Sequence, residues 1–316
     1  MQTYYAPLEG ITTFTLRNTH AKYFGGIDKY FTPFISPTST NKLTTKEMND
    51  VRPEHNEGMN VVPQILANNP EQFIFTMQKL EKLGYNEINL NVGCPSGTVC
   101  SKGKGAGFLG FPDKLDAFLD DIYNEAAKDK VKISIKTRLG VTDYKEFETI
   151  LDIFNKYPVS ELIVHPRLRT DFYKNTPNLD VYHYAEEYSK HDLCYNGDIF
   201  TYKLYDEFRE KFPNCTKVML GRGVIMNPNL SLYVKGEPLK GIDVFKAYHD
   251  EVYQLYKDRM PGEKPTLFKM KELWWYMIHS FNDSEKYGKR IKKCNKLSEY
   301  ESVTNELFAN LELRWI

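Results

Sequence analysis

The sequence has no excess charge of either sign: in 316 residues, 42 Lys and Arg stand against 42 Asp and Glu. The isoelectric point is about 7.0. This excludes a chain held to nucleic acid by bulk positive charge, since such domains sit above a pI of roughly 9. No run of 18 apolar residues occurs, so neither a transmembrane helix nor a membrane partner is expected. Cysteine is scarce. Cys94, Cys100, Cys194, Cys215 and Cys294 form an odd set without paired zinc-type spacing, so no disulfide framework and no metal site is expected. The opening Met-Gln-Thr-Tyr-Tyr-Ala-Pro lacks the basic and apolar regions of a secretory signal. A reduced, cytoplasmic protein is the expectation. Repeats, low-complexity tracts and a dinucleotide-binding glycine fingerprint are also missing. What is plentiful is aromatic and apolar: 22 Tyr, 19 Phe and 41% hydrophobic residues, ample for a sizeable core and too many for a disordered chain.

Short β-rich runs alternate with amphipathic helical runs. Strands are predicted at 4–7, 29–36, 61–66, 87–91, 131–136, 162–165, 193–196 and 218–220. Helices are predicted near 14–24, from Asn69-Pro70 to Gly84, from Pro112, and at 144–157, 179–189 and 202–212. The polar segment 37–57 shows no clear period. Eight strand–helix units over about 230 residues fit a (β/α)8 TIM barrel better than an open parallel sheet. After Asn227-Pro228 the pattern becomes helical throughout, and Gly236–Gly241 reads as a linker. The expected division is a catalytic barrel at 1–238 and an all-helical domain at 239–316.

Polar residues capable of chemistry cluster at the predicted carboxyl ends of the strands, which open on one face of such a barrel. They are Pro7 and Glu9-Gly10, Gln64, Asn91-Val92-Gly93-Cys94, Lys136-Thr137-Arg138, His165-Pro166-Arg167, Asn196-Gly197-Asp198 and Gly221-Arg222-Gly223. Gly197, Gly221 and Gly223 allow backbone N–H groups to approach an anion, with Arg222 to pair with it, although such glycines also simply close turns. A strand-end histidine is often structural. Lys136 and His165 can donate to the edge of a reduced flavin, and Gln64 to the same heterocycle. Cys94 sits in a Gly-flanked loop, suiting a general acid or nucleophile. Cys100 competes for that role or forms a redox couple with it, whereas Cys194 reads as core.

These motifs resemble the tRNA-dihydrouridine synthase family. The resemblance runs through Ala6-Pro7-Leu8-Glu9-Gly10, Gln64-Ile65-Leu66, Asn89-Leu90-Asn91-Val92-Gly93-Cys94-Pro95, Lys102-Gly103-Lys104-Gly105-Ala106-Gly107, Lys136-Thr137-Arg138-Leu139-Gly140, Val164-His165-Pro166-Arg167, Asn196-Gly197-Asp198 and Gly221-Arg222-Gly223-Val224. It implies a TIM barrel binding FMN, reduced by NADPH, that passes hydride to C6 of a uridine in tRNA while a cysteine, here Cys94, protonates C5. By motif position Gln64, Lys136, His165, Asn196, Gly197, Gly221 and Arg222 would contact the flavin, with Pro7 and Asp198 beside them. Asn91, Arg138 and Tyr173 would hold the uracil. A monomer is expected. The chain departs from the family where His165-Pro166-Arg167-Leu168-Arg169-Thr170 replaces the usual His-Gly/Ala-Arg-Thr, where Leu8 replaces a frequent methionine, and at Gly107-Phe108-Leu109-Gly110.

For an RNA partner the tail offers Lys286, Lys289, Arg290, Lys292, Lys293 and Lys296, with no acidic residue between Lys286 and Lys296. The run can contact phosphates or be an ordinary solvated helix face. Trp274, Trp275 and Tyr276 are expected to pack the tail. Two other functions use the same barrel: dihydrouridine synthesis on ribosomal RNA, and small-molecule flavin oxidoreduction of the dihydroorotate dehydrogenase or enoate reductase sort, which needs no helical tail. A nucleic-acid-binding module that has lost activity would have no need of Cys94, Lys136, His165 and Arg222.

Overall fold

Parallel strands require a crossover between neighbours, and the chain supplies one after nearly every strand. The computed structural model describes residues 1–40, 42–129 and 131–314. Strand β1 (Gln2–Tyr5) leads to α1 (Phe14–Tyr23) and β2 (Lys29–Phe31) to α2 (Thr45–Val51). The segments β3 (Val61–Val62) and β4 (Gln64–Ile65) lead to α3 (Pro70–Glu81). After β5 (Glu87–Val92) come the short α4 (Gly97–Cys100) and the long α5 (Pro112–Asp129). Then follow β6 (Lys132–Thr137) with α6 (Glu146–Phe154), β7 (Leu162–Val164) with α7 (Leu179–Tyr188), β8 (Leu193–Tyr195) with α8 (Tyr202–Lys211), and β9 (Lys217–Leu220) with α9 (Arg222–Met226).

The strand order is β3-β2-β1-β9-β8-β7-β6-β5-β4. Its two end segments flank Pro63 on one stretch of chain. Proline has no N–H to give to a ladder, so the strand is interrupted there, but the Pro63 carbonyl still accepts from Asn89 N at 2.9 Å. β3 and β4 are therefore halves of one strand, and the sheet closes as an eight-stranded parallel barrel. This is the (β/α)8 fold expected from the alternation. Its interior holds Tyr4, Ala6, Phe31, Val62, Ile163, Cys194 and Met219, all buried. Cys194 is core, as its mid-strand position implies.

Local signals explain the helices. Asn69 accepts from Gln72 N at 2.9 Å and Pro70 opens α3, whose buried stripe is Phe73, Met77 and Leu80. The segment without apolar period contains α2, which is held by a capping box: Thr44 Oγ1 accepts from Glu47 N, and Thr44 N donates to Glu47. A short helix fixed by its ends needs little apolar periodicity.

The described residues fall into two compact units. The first comprises Met1–Gly10, Asp28–Asp198 and Asn214–Met219; the second comprises Ile11–Ile27, Ile199–Pro213 and the chain from Leu220 onward. The second thus takes in α1 and α8 with α9, α10 (Leu230–Lys235), α11 (Ile242–Arg259), α12 (Glu263–Met277), α13 (Glu285–Lys293) and α14 (Leu297–Asn310). Within it, Lys22 of α1 pairs with Glu251 of α11, and Phe24 packs edge-on against Tyr248 at 5.4 Å. A buried aromatic cluster ties α11, α12 and α14 together: Trp274 Nε1 donates to the Tyr300 hydroxyl at 2.7 Å, and the same hydroxyl meets His249 Nε2. Among the described residues no helix is long and apolar enough to cross a membrane.

At the amino-terminal end of the barrel, buried Glu161 collects Lys217 at 2.8 Å, Lys29 at 3.4 Å and the Tyr4 hydroxyl at 2.7 Å. Lys29 also pairs with Glu87, and Lys217 with Asp192. Removing one member of a buried ion network leaves the others desolvated and under-compensated. Glu161→Ala is therefore expected to lower stability by about 3 kcal/mol, read from the urea midpoint at constant m-value. A loss below about 1 kcal/mol, the size typical of exposed pairs, would mean that the network is effectively solvated.

Candidate active site

The register of β5 against β6 sets Asn91 opposite Lys136, just below the barrel's carboxyl-terminal rim. The Asn91 amide anchors the loop that follows. Its Oδ1 accepts from Gly93 N at 3.0 Å and Cys94 N at 2.9 Å, and its Nδ2 donates to Gln64 Oε1 at 2.8 Å. Gln64, wholly buried, donates in turn to Asn89 Oδ1 at 2.8 Å, and Asn89 to Ser134 Oγ at 3.0 Å. These four side chains form a continuous amide–hydroxyl network across β4, β5 and β6. Sequence reasoning assigned Gln64 to a flavin and Asn91 to uracil. In the structure both position the Cys94 loop first, and one Asn91 N–H remains for other use. Asn89 was missed, although the two-residue spacing Asn89/Asn91 on one strand places both on the same face.

The loop carrying Cys94 folds back on itself. The Cys94 carbonyl accepts from Ala106 N at 2.9 Å and from the Cys100 thiol at 3.4 Å. Gly105 has φ +56°, and a Cβ there would lie 2.6 Å from that carbonyl; only glycine fits. Cys94 itself is half-buried. Burial pushes its thiol above the ordinary range, outweighing the downward pull of Arg138 and Lys136. It is therefore a neutral S–H donor at neutral pH, not a standing thiolate.

Arg138 is almost wholly buried, and its guanidinium joins three backbone segments: Nε donates to Gly93 O at 3.1 Å, Nη1 to Leu168 O at 2.7 Å and Nη2 to Phe172 O at 2.7 Å. Phe172 holds φ 49°, a costly conformation for a residue with a side chain, and the bond from Arg138 helps to hold it. Tyr173, about half-exposed, lies under the guanidinium at 5.3 Å and beside the His165 ring at 6.1 Å. Three of the five Arg138 N–H groups are thus committed to structure, more than a residue that only grips substrate would show. Lys136 is different. Among the described residues its ammonium has neither a hydrogen-bond nor an ion-pair partner. Burial first, then the neighbouring Arg138 charge, hold it down to about 8.

The β7 end contains the second residue that sequence reasoning left without a role. Arg167, almost fully buried, donates through Nη1 to His165 Nε2 at 2.9 Å and to Asp198 Oδ1 at 2.9 Å, and its Nη2 meets Asp198 Oδ2. A second contact runs from Nε to Asn175 O at 2.7 Å. A guanidinium cannot accept a hydrogen bond. His165 Nε2 must therefore present its lone pair, which places the imidazole proton on Nδ1. Asp198, expected to stand beside a cofactor, pairs with Arg167. The signal was present in the sequence: an arginine two residues after a strand-end histidine, with an acid at the next strand end.

Around this centre, Pro7 is half-buried directly after β1, and Asn196 donates from Nδ2 to Met219 O at 2.9 Å, linking the β8 and β9 ends ahead of Gly197. Gly221 and Arg222 belong to the second unit, where Arg222 stacks 4.8 Å above Phe200. In that unit Arg290 pairs with Glu306 at 2.7 Å, so α13 is not the uncompensated basic run read from local sequence. Lys286, Lys289, Lys292, Lys293 and Lys296 stay exposed. With Trp275, 69% exposed, several of them border a groove of about 1390 Å³. Trp274 packs the core as expected, whereas Trp275 faces outward.

The Arg167 contact yields a direct test. In protein carrying ¹⁵N-histidine, the neutral His165 ring is expected to show the Nδ1–H tautomer. In Arg167→Met the Nε2–H form should appear. An unchanged ¹⁵N pattern in that variant would show that something else fixes the ring.

The family model for dihydrouridine synthase matches residues 4–312. A probable tRNA-dihydrouridine synthase of Staphylococcus aureus (strain COL) is 30% identical over 238 residues, covering 71% of this chain and 68% of the relative. A tRNA-dihydrouridine(16) synthase of Ralstonia nicotianae is 26% identical over 238 residues, covering 73% and 72%. Among solved structures, a variant of NCR from Zymomonas mobilis superposes with a TM-score of 0.50 at 14% identity, covering 78% of this chain and 90% of that one, a likeness of fold alone. With the family match spanning nearly its whole length, this chain belongs to the dihydrouridine synthase family.

Proposed function

We propose that this protein reduces the C5–C6 bond of a uridine in tRNA to 5,6-dihydrouridine, with FMN as cofactor, NADPH as reductant and Cys94 as proton donor. The observation that carries this reading is a half-buried cysteine, held at the barrel rim by Asn91 and Ala106, near a buried lysine that has no partner. The donor set fits a flavin. Lys136 offers an unpaired ammonium, and His165 stands at the end of β7 with its Nε2 lone pair turned to Arg167. An unpaired ammonium suits an acceptor-rich ring edge or a phosphate. When bound, FMN supplies the two-electron link between NADPH and uracil C6.

The chain's own part is positioning and proton transfer. Asn91 and the Ala106 and Cys100 contacts fix the main chain that carries the Cys94 thiol. A proton delivered from it to C5 completes the reduction and leaves a thiolate near Lys136 and Arg138, whose charges stabilise it. The remaining Asn91 N–H and the guanidinium of Arg138 are assigned to the uracil carbonyls, with Tyr173 beside them. Such donors stabilise the negative charge that builds on the base. Because a uridine stacked in folded RNA cannot reach a barrel mouth, it must be turned out of the stack. The relatives' names specify tRNA, and one of them position 16; tRNA is the substrate assigned here.

The reaction is assigned to residues 1–238, and tRNA recognition to 239–316, where exposed lysines and Trp275 favour an RNA over a small molecule. Cytoplasmic location follows from the same substrate.

Two measurements test this. Cys94→Ala is expected to bind FMN, visible in its absorption spectrum, and to lower dihydrouridine yield at least about a hundredfold when the product is counted by mass spectrometry. A wild-type yield would move the proton to another donor, Cys100 first. Lys292→Glu combined with Lys293→Glu is expected to raise the tRNA KM roughly tenfold, with a shallower salt dependence. A fall in kcat at unchanged KM would remove this helix from RNA contact.

A further inference from the structure

We propose that the Cys94 loop is flanked by a second binding site, a pocket that takes a phosphodiester group of the RNA strand with its adjoining base; this rests on the reading of the protein as an RNA-modifying enzyme. The pocket has a volume of about 360 Å³ and is bordered by Cys100, Ser101, Gly107, Phe111, Val141 and Arg169. These residues follow β5, β6 and β7, so it opens on the barrel face that carries Cys94.

Arg169 is the distinctive feature. Its backbone is held in place: Arg169 N donates to Gly140 O at 2.9 Å and Thr170 N to Val141 O at 3.2 Å. Its guanidinium is not. Among the described residues it makes no hydrogen bond and no ion pair, and its Nε is sealed from solvent without a partner. A donor buried in this way is unfavourable until an acceptor arrives, and the planar fork of a guanidinium matches a phosphate in two-point contact. Glu146, whose carboxylate packs beside Gly140, does not fill the role. It is already engaged by Val141 N at 2.6 Å, Thr142 N at 3.0 Å and Asp143 N at 2.9 Å.

The aromatic lining favours a nucleotide over a bare anion. Phe111 is 49% exposed, with the Lys114 ammonium 5.2 Å above its ring. An exposed aromatic face beside two cations is the combination that stacks a base while holding its phosphate. The pocket is also coupled to the reactive loop. Cys100 donates its thiol proton to the Cys94 carbonyl at 3.4 Å, and a Cβ at Gly107 would lie 2.7 Å from Cys100 Cα, so this wall of the pocket is fixed by close packing. A nucleotide seated here would lie beside the cysteine loop, which makes the pocket a subsite for a residue flanking the target uridine.

Direct binding of unmodified tRNA to the full-length protein, followed across salt concentrations, tests the assignment. Arg169→Gln is expected to weaken binding about tenfold and to make the slope of log K against log salt shallower by roughly 0.7, the value for one single-strand phosphate contact. Arg169→Lys should restore the slope, which also excludes a folding defect as the cause. Phe111→Ala should weaken binding with the slope kept. Affinity and slope unchanged in Arg169→Gln would overturn the proposal. So would tight, Arg169-dependent binding of inorganic phosphate that tRNA does not displace, since that identifies a free-phosphate site. Failure of the wild-type protein to form dihydrouridine would instead remove the underlying reading, and it is scored separately by mass spectrometry.

Discussion

The candidate site depends on the amide of Asn91. One carboxamide joins the barrel interior, through Gln64, to the two backbone N–H groups that begin the cysteine loop. Parallel pairing sets its height: with Asn91 opposite Lys136 and Val92 opposite Thr137, the chain leaves β5 where β6 also ends. A loop anchored at that point can carry a thiol into the mouth without long, flexible supports. The glycines that follow allow close return of the chain, and Cys94 is held at both its N–H, by Asn91 Oδ1, and its carbonyl, by Ala106 N and the Cys100 thiol.

Two buried arginines extend the same construction. Placing a guanidinium where water cannot reach it is costly unless its donors are met. Arg138 meets that condition with three carbonyls from separate segments, and Arg167 with Asp198, His165 and Asn175. Each thereby fixes loops that follow different strands. The difference between these two and Lys136 or Arg169 is informative. Cations that build the structure have all their close partners within it, whereas those without partners are available to an outside anion. The network around Glu161 at the other end of the barrel follows the first pattern and reads as structural.

The second unit uses different means. Its core is aromatic, organised by the shared Tyr300 hydroxyl between Trp274 and His249, and its outer surface presents lysines beside Trp275. A neutral chain can still carry a local basic surface of this kind, because α13 concentrates lysines while their compensating acids lie elsewhere in the sequence.

The sequence by itself determined the barrel, since the alternation of β-rich and amphipathic runs leaves few other ways to bury both faces of a parallel sheet. It also determined which residues stand at strand ends, because strand-end position is a local property. Cys94, Lys136 and His165 were legible for that reason. Tertiary structure alone decided what those residues do to one another. That Asn91 and Arg138 hold the cysteine loop, that Arg167 sets the proton on His165, and that Arg290 meets Glu306 all depend on contacts between distant segments. Such contacts have no periodicity and no spacing rule. They exist only once the crossovers bring the segments together, so the roles of polar side chains were settled by the fold and their identities by the sequence.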